Sequence, residues 1–366
     1  MGQRAVIVGG GINGLATAWA LVRQGWEVEL LEQGPLPNPE AASWDAHRLI
    51  RPHYADQPGY AARIGAAFAA WEEMWRDLGR AHYAGRGMLA LSRAAGDWTE
   101  RAEAGLTAAG IAHDRLGGNE VARRFPMIVA DGVRFALWTE IGGALLADRI
   151  LADLIRWLIE RGVVLRPETA VSRIDAERAT VETAEGPVSG DVVVIAAGIG
   201  LRSLLPEMAG EWRPHRSTVL YVAPPPQWLE AWAKGPCWVD LGGGDDHWGM
   251  PPVDAIPMKL GLGRHTRPGD PLEERVTTED DVRDIMGAYH GRFADWDQAR
   301  PIRAVANFYL MAPDSLFHLK RVGRSVVISA DSGHGFKFGA LTGLDVAEAI
   351  ETERWNAVAT RVAGAA

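Results

Sequence analysis

Val6-Ile7-Val8-Gly9-Gly10-Gly11-Ile12-Asn13-Gly14 stands almost at the start of the chain, and Glu32 follows eighteen residues after Gly14. Residues 4–8 read as a short buried strand, and residues 12–24 place apolar Leu15, Ala18, Trp19 and Val22 at helical spacing. In that setting each glycine has a physical task. Gly9 permits a tight strand-to-helix turn, Gly11 lets a pyrophosphate approach the backbone, and Gly14 lets helix and strand pack closely. The helix start, with Ile12 and Asn13 in its first turn, offers N–H groups and partial positive charge to that pyrophosphate. Residues 26–31 read as a second strand, and Glu32 at its end is placed to accept from a ribose hydroxyl. A lone glycine motif is weak, but strand, helix, strand and acid in register point to a bound dinucleotide. The motif by itself fits NAD as well as FAD.

Working outward, the pattern does not continue as a plain alternation of strand and helix. Residues 58–79 read as a long helix, 97–110 and 119–124 as shorter ones, and 86–92 and 132–139 as strands. Asp148 is placed to cap a helix running to Gly162. Residues 163–166 and 180–183 read as strands, and Asp191 through Gly198 as a buried parallel strand with a small-residue turn, which Gly198 closes. Loop signals at Pro224–Pro226 and Gly242–Gly244 separate strand-like pieces at 217–223 and 258–262, and a helix is expected over 279–290. Residues 325–330 form another buried strand before a glycine-rich turn and a closing helix near 340–353. The expected fold is α/β. A discontinuous Rossmann-like cofactor domain takes 1–80, 145–212 and 315–366, and a mixed-sheet α+β substrate domain takes 81–144 and 213–314.

Composition narrows the function without choosing it. A chain of 366 residues with 47% apolar content has room for about two domains and a sizeable core. A net charge of −9 argues against nucleic acid as a partner, because phosphate binding needs a basic face. The single cysteine, Cys237, excludes an internal disulfide and reads as buried and unreactive. The N-terminus lacks signal-peptide features and no apolar run spans a bilayer, so a soluble, cytoplasmic protein without a membrane partner is expected. Asp245-Asp246-His247 matches no ligand spacing, and no metal is expected.

Three further segments choose the dinucleotide: His47-Arg48-Leu49-Ile50-Arg51, Met258-Lys259-Leu260-Gly261 and Ser332-Gly333-His334-Gly335-Phe336-Lys337-Phe338. With the N-terminal motif they make the chain resemble, over nearly its whole length, the flavoprotein amine oxidases related to monomeric sarcosine oxidase, within the D-amino-acid oxidase superfamily. The resemblance implies FAD. For its ADP half it implies Gly9, Gly11, Gly14 and Glu32, with Val171 meeting the adenine through its backbone; Gly335, Phe336 and Lys337 run beneath the pyrimidine end. Arg51 matches the arginine that grips the substrate carboxylate, a planar fork suited to it, and Lys337 adds a point charge. Arg48 matches an arginine close to the flavin ring, and Lys259 a lysine that activates oxygen by stabilising developing negative charge. A lysine within an apolar strand also needs a partner, because an unpaired buried ammonium is costly. His265 matches a histidine near the substrate amine, displaced here by two extra residues. Tyr309 matches a pocket tyrosine, and Trp248 stands where the family often has another. Asn307 replaces the cysteine that carries the flavin covalently, so non-covalent FAD is expected.

The resemblance implies an FAD-dependent oxidase of a small carboxylated amine, an N-methyl or cyclic amino acid, giving an imine and hydrogen peroxide with O2 as acceptor. Two alternatives stay open. One is a dehydrogenase of a D-amino or 2-hydroxy acid with a quinone or protein acceptor, and the other a flavin-bearing subunit that needs a partner. A monomer or small homo-oligomer is expected.

Overall fold

A computed structural model describes residues 2–208, 210–241, 245–329 and 331–365; the expected loop at Gly242–Gly244 and the last residue of the 325–330 strand lie outside them. The first sheet has six strands in the order His318–Val322, Ser325–Ser329, Val192–Ile195, Arg4–Val8, Glu27–Leu31, Val164–Arg166. All neighbours run parallel except His318–Val322 beside Ser325–Ser329. Alternate residues of each central strand enter two different cores, as a period of two dictates. Ala5, Ile7, Leu30 and Val194 meet helices Ile12–Arg23, Ala147–Glu160 and Gly339–Thr352. Val6, Val8, Leu31 and Val193 meet Val181 and Val188 of a three-stranded sheet. Burial on both faces explains why these strands read as continuous apolar runs.

The second large sheet has eight strands in the order Arg300–Met311, Arg213–Ala223, Met258–Pro268, His247–Met250, Cys237–Asp240, Met88–Ser92, Phe135–Thr139, Asp114–Gly117. It is antiparallel except where Cys237–Asp240 runs beside Met88–Ser92. Its long strands extend well beyond the expected 217–223 and 258–262 pieces. A bulge breaks the ladder: Ser217 pairs with Thr266 but Val219 with Gly261, so residues 262–265 lie opposite Thr218 alone. A small sheet, Arg48–Ile50, Gly143–Leu145 and Tyr83–Gly85, carries the His47–Arg51 motif.

One expected cap is corrected. The helix starts at Ala147 with Leu146 at its cap, and Asp148 sits inside the first turn, where its carboxylate accepts from the Arg149 N–H at 2.8 Å. The acid still complements the positive helix end. Among the described residues no helix is long and apolar enough to cross a membrane.

Candidate active site

The carboxyl ends of the central parallel strands converge on a groove of about 100 Å³, where open α/β sheets place ligands. Gly9, Gly11, Ile12, Asn13, Glu32 and Gly198 all line it. Gly9 has φ +109°, and a Cβ there would run into the Ala196 carbonyl; a Cβ at Gly14 would run into the Gly9 carbonyl. The strand, turn and helix are therefore as close as backbones allow. The Glu32 carboxylate accepts from the Gly10 N–H at 2.7 Å, Asn38 Nδ2 at 2.9 Å and the Gly34 N–H at 3.0 Å, which hold it at the rim. Ser43 Oγ accepts from the Ile12 N–H at 2.9 Å. Asn13 Oδ1 is buried without a hydrogen-bond partner, an acceptor that a ligand hydroxyl or amide N–H would satisfy. These residues fit a dinucleotide. Val171 begins strand Val171–Asp175, packed against the second core, and is not among the residues lining the groove.

A second cavity, of about 270 Å³, shares Ala42, Tyr309 and Asp331 with the groove. On one wall the Arg51 guanidinium lies between the Tyr54 and Trp98 rings, 4.7 and 5.0 Å from their centroids. Its Nη1 is buried with no hydrogen-bond partner, and burial pushes its pKa down. Beside it, Lys337 Nζ donates to the Gly333 carbonyl at 3.1 Å, while the Lys337 carbonyl accepts from Trp71 Nε1 at 2.9 Å and is thereby fixed to helix Pro58–Leu78. Burial, with the Arg51 charge second, pushes the Lys337 ammonium down to about 7. Among the described residues neither cation has an ion-pair partner. An entering carboxylate would satisfy both.

Lys259 lines the same cavity and is only 1% exposed. Its ammonium donates to Asp45 Oδ2 and to the His47 carbonyl at 2.8 Å. Burial pushes it down to about 8 against the pull of Asp45. Arg48 donates to Asp45, to the Ala42 carbonyl at 2.7 Å and to the Trp44 carbonyl at 3.2 Å, so it staples the 42–48 loop while lining the cavity. Trp248, Met250, Val219 and Val239 give the cavity an apolar lining. Trp248 lies across Gly261, its cross-strand partner, where a Cβ would meet the indole ring. Tyr309, Asn307, Gly335 and Phe336 also line it, and the Phe336 ring stacks on Trp71 at 6.1 Å.

His265 departs from expectation. Its Nε2 meets Asp284 at 2.8 Å and its Nδ1 meets Asp281 at 3.4 Å, both on helix Glu279–Ala288. Because the bulge ends there, the next residue, Thr266, faces the cavity, and its hydroxyl meets Ser217 Oγ at 3.2 Å. His265 therefore contacts two acids of that helix and is not among the residues lining the cavity. Cys237 is buried in the eight-stranded sheet, where burial pushes its thiol pKa up.

Sequence reasoning missed three residues. Asp45 is the acid that Lys259 required, recognisable in kind but not in place. Trp98 supplies the second ring over Arg51 from helix Trp98–Ala108, and nothing in its own spacing marks it. Asp331 lines both cavities, accepts from the Gly333 N–H at 2.9 Å and has its pKa raised by burial. Its signal is an acid embedded in a glycine-rich turn.

The comparisons with known proteins bear on the family and the fold. The family described as FAD dependent oxidoreductase (DAO) matches residues 4–349. Human peroxisomal sarcosine oxidase is 27% identical, over 93% of this chain and 90% of that protein. Monomeric sarcosine oxidase of Streptomyces avermitilis is 24% identical, over 94% and 92%. The crystal structure of L-proline dehydrogenase from P. horikoshii superposes with a TM-score of 0.83, at 19% identity, over 96% of this chain and 94% of that one. With the Rossmann-like fold, the groove and the matched span together, the chain belongs to the DAO family of FAD dependent oxidoreductases.

Proposed function

We propose that this chain is an oxidase of a small carboxylated amino acid, a secondary amine of the N-methyl or cyclic kind, giving an imine and hydrogen peroxide. The observation that carries this reading is the pair Arg51 and Lys337, two buried cations in one cavity that, among the described residues, make no salt bridge, although the Asp331 carboxyl in the same lining favours the charged form of Lys337. Their shared ligand is a carboxylate, taken by a planar fork and a point charge. Tyr309 and Asp331, which line both cavities, mark where a substrate held there would meet the nucleotide groove. The names of the relatives, sarcosine oxidases among them, support an amine bearing a carboxylate.

Gly9, Gly11, Ile12, Asn13, Gly14, Glu32 and Gly198 would hold the FAD dinucleotide, and Gly335, Phe336, Lys337 and Arg48 its ring. FAD held there would supply the redox chemistry, a two-electron oxidation of the amine coupled to reduction of O2 to peroxide. The chain's own part is position and charge. Arg51 and Lys337 orient the substrate, the Val219, Val239, Trp248 and Met250 wall excludes water from the amine, and Lys259 offers a fixed ammonium where O2 gains negative charge. Segments 1–80, 145–212 and 315–366 then form the cofactor unit and 81–144 with 213–314 the substrate unit.

An oxygen electrode with coupled peroxide detection tests the reading on sarcosine, other N-methyl amino acids, pipecolate, proline and D-amino acids. Oxygen uptake matched by peroxide with one of the secondary amines is the expected result. Turnover only with an added quinone or dye would make the protein a dehydrogenase instead.

A further inference from the structure

Asp45 is a carboxylate 1% exposed at its side chain, reached from three directions. Oδ2 accepts from Lys259 Nζ, on strand Met258–Pro268, and from Arg48. Oδ1 accepts from the Tyr221 hydroxyl, on strand Arg213–Ala223, and from the Ala46 N–H at 2.8 Å. A buried acid with this many donors is a fixed negative charge: burial alone would raise its pKa, but Lys259, Arg48 and the hydrogen bonds hold it well below the usual carboxylate range.

We infer that Asp45 is the positioning residue that keeps Lys259 an ammonium and sets its direction toward the cavity. The inference rests on the reading of Lys259 as the oxygen-site cation. The charges around Lys259 are unequal. Arg48 from the 42–48 loop and Arg303 from strand Arg300–Met311 are cations that disfavour its proton, and Arg303 lies 4.5 Å from the centroid of the Tyr221 ring. The His47 ring is buried, pushed down to about 3 and so neutral, and the Tyr221 phenol is raised by burial and stays protonated. Among the described residues around Lys259, Asp45 is the one carboxylate favouring the charged form. The geometry agrees with the charge count. An ammonium has three donors; Asp45 and the His47 carbonyl take two, leaving one for the cavity that Lys259 lines.

The chain holds only four lysines, Lys234, Lys259, Lys320 and Lys337, so the charge is directly readable. Holoenzyme grown with lysine labelled with carbon-13 at Cε gives four side-chain signals, and Lys259→Met identifies the one of interest. In the unaltered protein its titration midpoint is expected at about 8. In Asp45→Asn it falls by about one pH unit or more, at least a tenfold loss of proton affinity, while Asp45→Glu stays near the parent value. The rate of flavin reoxidation by O2, which needs the ammonium, falls with rising pH through the same midpoints. A Lys259 already neutral at pH 7 in the unaltered protein, or a midpoint unmoved by Asp45→Asn, overturns the inference. Lys259→Met that reoxidises as fast as the parent overturns the oxygen-site reading instead, and leaves the midpoints to judge Asp45 alone.

Discussion

Arg51 and Lys337 mark the proposed substrate end of the cavity, because among the described residues neither makes a salt bridge and only the Asp331 carboxyl favours the charged form of Lys337. Arg51→Ala is expected to raise KM, and the Kd of a simple carboxylate ligand, by about two orders of magnitude, the size of losing a buried charge pair of about 2–5 kcal/mol. Flavin content should stay near the parent, since the Arg51 rings and cavity lie outside the dinucleotide groove; an equal loss of flavin would show a structural role instead. A pH test follows from Lys337, whose ammonium is pushed down to about 7. It is charged below that value and neutral above it, so binding of propionate, which has no amine to titrate, should weaken as pH rises through about 7, read from the perturbation of the flavin spectrum. Affinity constant from pH 6 to 9 would remove Lys337 from the grip. At this scale the sequence exposed the cations and hid their partners. Lys259 in an apolar strand announces that an acid exists, but Asp45 lies 214 positions away. The side-chain direction of His265 depends on a bulge that no local signal marks.

Elements explain which substitutions the site tolerates. Gly14 is where helix Ile12–Arg23 meets the Gly9 carbonyl, so Gly14→Ala must push the helix off the strand. The expected result is protein purified with little bound flavin, read from the ratio of visible to ultraviolet absorbance. Gly261 is subtler. On its strand it leaves room for the Trp248 ring, a tryptophan laid over a cross-strand glycine. Gly261→Ala should drive the indole into the cavity, raising KM for larger secondary amines more than for sarcosine while flavin content holds; uniform kinetics across the series would contradict that. The parallel strands of the first sheet were legible because burial on both faces gives continuous apolar runs. The long strands of the second sheet were legible only at 217–223 and 258–262, since the start of Arg213–Ala223 and all of Arg300–Met311 carry many polar residues and are held by cross-strand pairing of distant segments.

The whole molecule joins a nucleotide groove to a cavity lined by Arg48, Arg51, Lys259 and Lys337 through the shared residues Ala42, Tyr309 and Asp331. Asn307 at the cavity wall has no thiol to bond a flavin, and Cys237 is buried in a different part of the sheet. Acid-denatured protein should therefore release all its yellow colour to the supernatant; colour retained in the pellet would mean a covalent link. The central claim, that Arg51 and Lys337 present a carboxylated secondary amine to FAD and that Lys259 serves its reaction with O2, is tested most directly by the visible spectrum under nitrogen. Sarcosine, other N-methyl amino acids, pipecolate, proline and D-amino acids are added in turn, and air is then admitted. The account predicts bleaching of the flavin by an N-methyl or cyclic amino acid and prompt return of colour in air. Flavin that none of these reduces, or that stays bleached in air, would contradict it.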